Sequence, residues 1–344
     1  MRSNLLRAHF GLVAACALAL PSCLLPELDT PAVDPALLEL QKGEGSAAST
    51  PCHEGIKAPS LKFLPPSADP KMFGYEGQCV VGGSVTLDLS APASMKLAEI
   101  RVIEGGLTIR AGADVAVGQV LPNLEEVMGP IVITGTALKA IPTFGKLKKA
   151  QLITISDNHA LKAIAGFGAL ESTPGIEIDN NPLLASVAGF GKLSKVTSHI
   201  RVRGNFALAS MTAFAGLEGT TAGLHFDKGV FPKLSFPKLT QLNSLVVVDN
   251  AMTQLSLPLV ENVSELRLRQ LDELKTIALP KLQSIVSLEI SSVQHLTDAK
   301  WLPAKAHLSS TATICPVASP LVDALKAWAQ ANGSTGTVQG TACQ

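Results

Sequence analysis

A phrase of about 23 residues recurs through this chain: two apolar residues separated by one, Asn three positions later, a Leu-x-x-Ile element, then Phe, a Gly or Pro, and Leu. It stands clearest in Ile153-Thr154-Ile155 with Asn158, Leu161, Ile164, Phe167 and Leu170. It returns in Ile176-Glu177-Ile178 with Asn181, Leu184, Val187, Phe190 and Leu193. A fixed period of this size dictates a solenoid, because one such unit can bury its apolar face only against its neighbours.

The second apolar residue of each pair falls at Leu87, Ile109, Ile133, Ile155, Ile178, Val202, Phe226, Val247, Leu268 and Ile290, in steps of 21 to 24 residues. Apolar, variable, apolar is the period of a strand with one buried face. Strands of successive turns must run parallel, so the repeat predicts a mainly β chain, a parallel β-solenoid of about ten rungs. Rungs are numbered below by these ten residues, from rung 1 at Leu87 to rung 10 at Ile290.

Three positions after the second apolar residue stand Asn158, Asn181, Asn205 and Asn250, replaced elsewhere by Thr136, Gly229, Leu271 and Val293. An inward Asn at a turn bonds backbone groups of its own and the next rung, so a structural ladder is expected. Phe144, Phe167, Phe190, Phe214 and Phe236 share a later position, taken over by Leu257, Leu279 and Leu302. Such a column predicts a packed aromatic spine. Gly145, Gly168, Gly191, Ala215, Pro237, Pro258 and Pro280 follow it, small or φ-restricted residues that mark a corner.

Asn-x-x-Leu-x-x-Ile, as in Asn158 to Ile164, resembles the receptor L domain, a relative of leucine-rich repeats, and Cys79-Val80-Val81-Gly82-Gly83-Ser84-Val85-Thr86-Leu87 is similar to the opening of such domains. The likeness covers about residues 79 to 302. The ordinary leucine-rich repeat places Leu two residues after Asn, whereas Leu161, Leu184 and Leu208 here follow by three. The resemblance implies a right-handed solenoid used for binding, usually of proteins, without fixed catalytic residues.

The ends carry different signals. Arg2 and Arg7 precede the apolar stretch from Phe10 to Leu20, the layout of a secretory leader too short to span a bilayer. Leu20-Pro21-Ser22-Cys23 resembles a bacterial lipobox, which makes Cys23 the expected lipidation site, with Val13-Ala14-Ala15-Cys16 as a rival and an ordinary leader as the alternative. A lipid anchor in the cell envelope, with the outer membrane favoured by Leu24 after the Cys, follows from that reading. The Pro, Ala, Asp, Glu, Gly and Ser composition up to Pro51 suits a tether.

Four cysteines remain: Cys52, Cys79, Cys315 and Cys343. Ten rungs at about 4.8 Å separate the solenoid ends by some 45 Å, whereas a disulfide holds its Cα atoms within about 7 Å, so local pairs 52 with 79 and 315 with 343 are expected. Pro320 to Ala329 carries apolar residues at helical spacing and stops before Gly333, with Ser319 as N-cap, which predicts a short capping helix. The expected organisation is a leader over 1–22, a tether over 23–51, an N-terminal cap and first rung over 52–96, the repeat solenoid over 97–302 and a C-terminal cap over 303–344.

The 28 basic and 28 acidic residues balance, and without Arg2 and Arg7 the counts are 26 and 28. Neither a nucleic-acid partner nor a polybasic membrane surface is expected. On the outward sheet face the middle rungs place Glu177 and Asp179 beside Arg201 and Arg203, and these beside His225 and Asp227. The patch is the candidate binding face for a protein or glycan, against the plainer reading of a solvated, charge-paired surface. No metal spacing, phosphate loop or nucleophile elbow stands in the sequence, and no cofactor is expected. The expected function is a non-catalytic envelope binding module. A structural spacer is the alternative, and less so a β-helix enzyme acting on polysaccharide.

Overall fold

A computed structural model describes residues 61–64 (backbone only), 79–88, 99–112, 121–219, 223–315 and 320–342. The leader, the tether, and Cys23, Cys52 and Cys343 lie outside the described residues.

The solenoid is present in the expected register. Leu87 pairs with Ile109, Ile109 with Ile133, Ile133 with Ile155, Ile155 with Ile178, and Ile178 with Val202. Val202 then pairs with Phe226, Phe226 with Val247, Val247 with Leu268, and Leu268 with Ile290. All these pairings are parallel, and all ten residues are buried in one continuous apolar core. A one-residue slip in any rung would turn its inward pair out to water, which is why the register holds across steps of unequal length.

The sheet continues past both ends of the repeat. Leu61–Leu64 pairs ahead of Val85–Asp88. His307–Cys315 adds a strand in which Ile314 pairs with Ile290, and Thr337–Gly340 pairs with that strand in turn. The C-terminal segment thus contributes strands as well as its helix α1, Pro320–Ala331. Helix α1 buries Leu321, Val322, Leu325 and Ala329, and Trp328 Nε1–H donates to Pro303 C=O at 3.1 Å. It ends at Gly333, with φ of 61°. Ser334 N–H bonds Ala329 C=O and Gly333 N–H bonds Gln330 C=O, the paired contacts of a Schellman cap.

In rungs 1 to 4 the strand is broken into two pieces, such as Val102–Ile103 and Leu107–Arg110. From Ser172–Asp179 onward each rung except Gly223–Asp227 runs as one strand of eight or nine residues up to Cys315. In rungs 1 to 3 the break follows glycines stacked on one another; rung 4 breaks at Gln151 and Leu152 without one. A Cβ on Gly105 would lie 2.5 Å from Gly83 C, and one on Gly129 2.6 Å from Gly105 C. Gly105 N–H donates to Gly83 C=O and Gly129 N–H to Gly105 C=O, an approach open only to residues without side chains.

The Asn ladder forms as expected from Asn158 to Asn205, whereas Asn250 bonds only Met252 N–H of its own rung among the described residues. Asn158 Oδ1 accepts from Thr136 N–H at 2.9 Å, and its Nδ2–H donates to Ile133 C=O at 2.9 Å. Asn181 and Asn205 repeat this one and two rungs on. The preceding residue is left-handed in eight successive rungs: Gly135, Asp157, Asn180, Gly204, Lys228, Asp249, Gln270 and Ser292. Each donates its N–H to the next rung, as Asn180 does to Arg203 C=O at 2.9 Å. The left-handed residue therefore turns the chain while keeping the ladder of rungs bonded.

Phe144, Phe167, Phe190 and Phe214 stack with ring centroids 5.2, 5.0 and 5.6 Å apart. The residues after them sit in turns, as expected of a corner. Nothing lies within 4 Å of a Cβ built on Gly145, Gly168 or Gly191, so these turns do not require glycine. The close approach falls instead at Gly189, before Phe190, where a Cβ would lie 2.8 Å from Ala165 C.

A seam divides rung 6 from rung 7. The Asn ladder stops at Gly229, and Phe236 leaves the ring stack to lie 6.0 Å from Phe226. A side ladder runs from Lys162 N–H to Lys139 C=O, Ala185 to Lys162 and Ala209 to Ala185, and resumes with Thr253 to Pro232 and Lys275 to Thr253. The missing step belongs to Pro232, which has no N–H to give Ala209. The side strands accordingly split into two separate three-stranded sheets, and a cleft of about 350 Å³ lined by Met211, Phe231 and Pro237 opens between them.

Candidate functional site

The outward face of rungs 5 to 7 carries the candidate residues on Ser172–Asp179, Lys195–Arg203 and Gly223–Asp227. Register sets Glu177 beside Arg201 and Arg201 beside His225; it sets Asp179 beside Arg203 and Arg203 beside Asp227.

Four of the six residues form one network. Arg201 bridges Glu177 Oε1 at 3.1 Å and Asp179 Oδ2 at 2.8 Å, with its Nε–H also donating to Asp179 Oδ2 at 2.9 Å. Arg203 reaches the same oxygen at 3.3 Å. The hydrogen bond to Asp179 holds the Arg201 guanidinium still more firmly protonated than usual, against the opposing effect of its partial burial. Asp179 itself is only 6% exposed, covered by the two arginines rather than standing free in water. Its second oxygen, Oδ1, is buried without a hydrogen-bond partner among the described residues.

The other two residues stand apart. Gly204 N–H donates to the Asp227 backbone C=O at 3.2 Å, but the side-chain Oδ1 of Asp227 is buried and unpartnered among the described residues. Burial pushes His225 below the ordinary histidine value, with Arg203 and Arg201 acting in the same sense and Asp227 and Asp179 opposing, which keeps the ring neutral at pH 7. A hollow of about 310 Å³ lies over Gly223, bordered by His199, Arg201, His225, Ser244 and Val246.

Sequence reasoning passed over His199, whose Nε2 lies 3.0 Å from Glu177 Oε1. It sits one residue before the apolar pair of its rung, and extending the outward pattern by that residue would have found it. A second network joins Arg267 to Glu265 at 2.6 Å and to Glu289 at 2.8 Å, with Arg269 also bonded to Glu289. Val246 and Val248 of rung 8 separate the two.

Cys79 and Cys315 are buried, while Cys52 and Cys343 fall outside the described residues. No group of three His, Cys, Asp or Glu side chains among the described residues is placed to hold a metal ion. No described helix is long and apolar enough to cross a membrane. No family model, no curated protein and no solved structure matches the chain.

Proposed function

We propose that this chain is an exported envelope lipoprotein, anchored through Cys23 in the outer membrane, that recognises a protein partner through the outward face of rungs 5 to 7. It acts by binding rather than by catalysis, as its resemblance to the receptor L domain implies. Its ends are closed by disulfides 52 to 79 and 315 to 343. The observation that carries the reading is the Glu177, Asp179, Arg201 and Arg203 network. In a partly buried pair the cost of removing both charges from water offsets much of their attraction, so stability gives little reason to hold four charges in one geometry. A fixed array of charges on a rigid sheet, in contrast, orients a complementary surface and speeds encounter.

The test is capture from cell envelopes by the purified protein and by the triple variant Arg201→Ala, Arg203→Ala, Asp227→Ala. A partner retained by the parent and lost from the variant is expected. Unchanged capture of every partner would sink the reading. A spacer without a dedicated ligand is the second reading, favoured by the fact that Arg201 is already neutralised by Glu177 and Asp179. It predicts that these substitutions are silent in cells while loss of Cys23 is not.

A further inference from the structure

Five large apolar side chains stand exposed among the described residues: Met128, Leu183, Phe206, Val230 and Val286. Three of them belong to rungs 5 to 7, which carry the candidate face. Leu183 is two residues past the ladder residue Asn181, Phe206 one past Asn205, and Val230 one past the ladder position Gly229. Their exposures are 53%, 61% and 45%. Phe206 follows Arg203 by three residues, a reach of at most about 10 Å, so the apolar row borders the end of the sheet face that carries Asp179, Arg203 and Asp227.

The row is held rigidly. Asn205 donates to Ile178 C=O at 2.7 Å and accepts from Asn181 N–H at 3.0 Å, and Val230 N–H donates to Leu208 C=O at 3.0 Å. An exposed aromatic side chain on a firmly bonded backbone, beside Arg and Asp, has the composition of an interface anchor, and the ordered backbone lowers the ordering cost of association. Arg201 and Arg203 face Glu177 and Asp179, which leaves the Asp227 carboxylate outside that network, its Oδ1 buried and unpartnered among the described residues and His225 beside it neutral.

We infer that Leu183, Phe206 and Val230, together with Asp227, form the anchoring part of the recognition surface. The occupant is a protein segment that presents a Lys or Arg to Asp227 and a large apolar side chain to Phe206. This rests on the function proposed above and adds the chemistry of the partner.

A random-peptide phage library selected on the full chain provides the probe. The peptides recovered are synthesised and measured by fluorescence anisotropy against the parent, Phe206→Ala, Asp227→Asn, and the double variant Arg201→Ala, Arg203→Ala. Phe206 is exposed, so its truncation leaves the core intact, which circular dichroism verifies. Expected are peptides pairing a basic with a large apolar residue, whose affinity falls about tenfold or more with Phe206→Ala and with Asp227→Asn. Peptides lost only by the double arginine variant would overturn the anchor while leaving the face as the binding surface. Recovery of no peptide, or of peptides without the basic and apolar pairing, would overturn the anchor as well. So would a dimer in sedimentation that Phe206→Ala dissolves, since the occupant would then be a second copy.

Discussion

Asn205 Oδ1 receives two bonds from Asn181, one from its backbone N–H at 3.0 Å and one from its Nδ2–H at 3.2 Å. Asn181 Oδ1 in turn receives the same pair of bonds from Asn158 on the other side. Asn158, Asn181 and Asn205 each therefore engage neighbouring rungs through their side chains. Asn181→Ala strips partners from Asn158 N–H and from Ile155 C=O, and each buried orphan costs about 1–3 kcal/mol. Urea unfolding is expected to show a loss of about 3 kcal/mol or more. Asn250 holds one bond, to Met252 N–H, and its Nδ2 has no partner among the described residues. Asn250→Ala is therefore expected to lose no more than about half as much.

Gly129 and Gly145 should respond oppositely to the same added methyl group. A Cβ at 129 meets Gly105 backbone at 2.6 Å, and the ladder on both sides prevents retreat. Gly129→Ala should lower stability by about 1–3 kcal/mol, the cost of overpacking. Gly145→Ala finds open space and should be neutral or raise stability by about 0.4–1 kcal/mol through the unfolded chain. Denaturant midpoints of the two variants decide this.

Gln270 holds φ of 52°, a left-handed conformation that costs an ordinary residue roughly 1–2 kcal/mol. Gly135 and Gly204 occupy the equivalent position in rungs 3 and 6 with φ of 64° and 66°. Gln270→Gly is expected to be neutral or stabilising, where a glycine in an extended strand would weaken it. A fall in melting temperature of the variant would show that this column is not strained.

His225 predicts a pH dependence of definite sign. Its value in the folded protein is lowered from the ordinary 6.5, so on acidification the unfolded chain takes up the proton first. The contribution is intact above about pH 6.5 and is lost as pH falls toward the lower folded value. His225→Gln should flatten the dependence of melting temperature on pH between about 5 and 8. A slope as steep as that of the parent would contradict this assignment.

The register was legible in the sequence because a stack repeats one decision many times, and ten inward residues from Leu87 to Ile290 agree. Asn158 and the Phe column were legible for the same reason. The left-handed column was half visible: Gly135, Asp157, Asn180 and Gly204 favour that conformation, whereas Lys228, Gln270 and Ser292 disguise it. The seam turns on single departures, Gly229 and Pro232, whose effect appears only when the neighbouring rungs' hydrogen bonds are followed in space.

For the site, strand alternation placed Glu177 to Asp227 on one face. It did not reveal that Arg201 folds back onto two carboxylates, or that Asp179 lies beneath the arginines. Long side chains choose among several neighbours about 4.8 Å apart, and position alone does not show which one they take. Phe206 and Val230 escaped notice because the repeat singles out inward residues; their position is outward in other rungs too, as at His159 and Asp272, and only their large apolar side chains set them apart.

The claim that rungs 5 to 7 form the recognition face is tested most directly by photo-crosslinking in living cells. A photoreactive amino acid replaces Val246, at the edge of the hollow over Gly223, and in a second strain replaces Thr108, on the same sheet face in rung 2. A discrete adduct with one protein from position 246, and none from position 108, is predicted. Adducts of equal yield at both positions, or none at position 246, would contradict it.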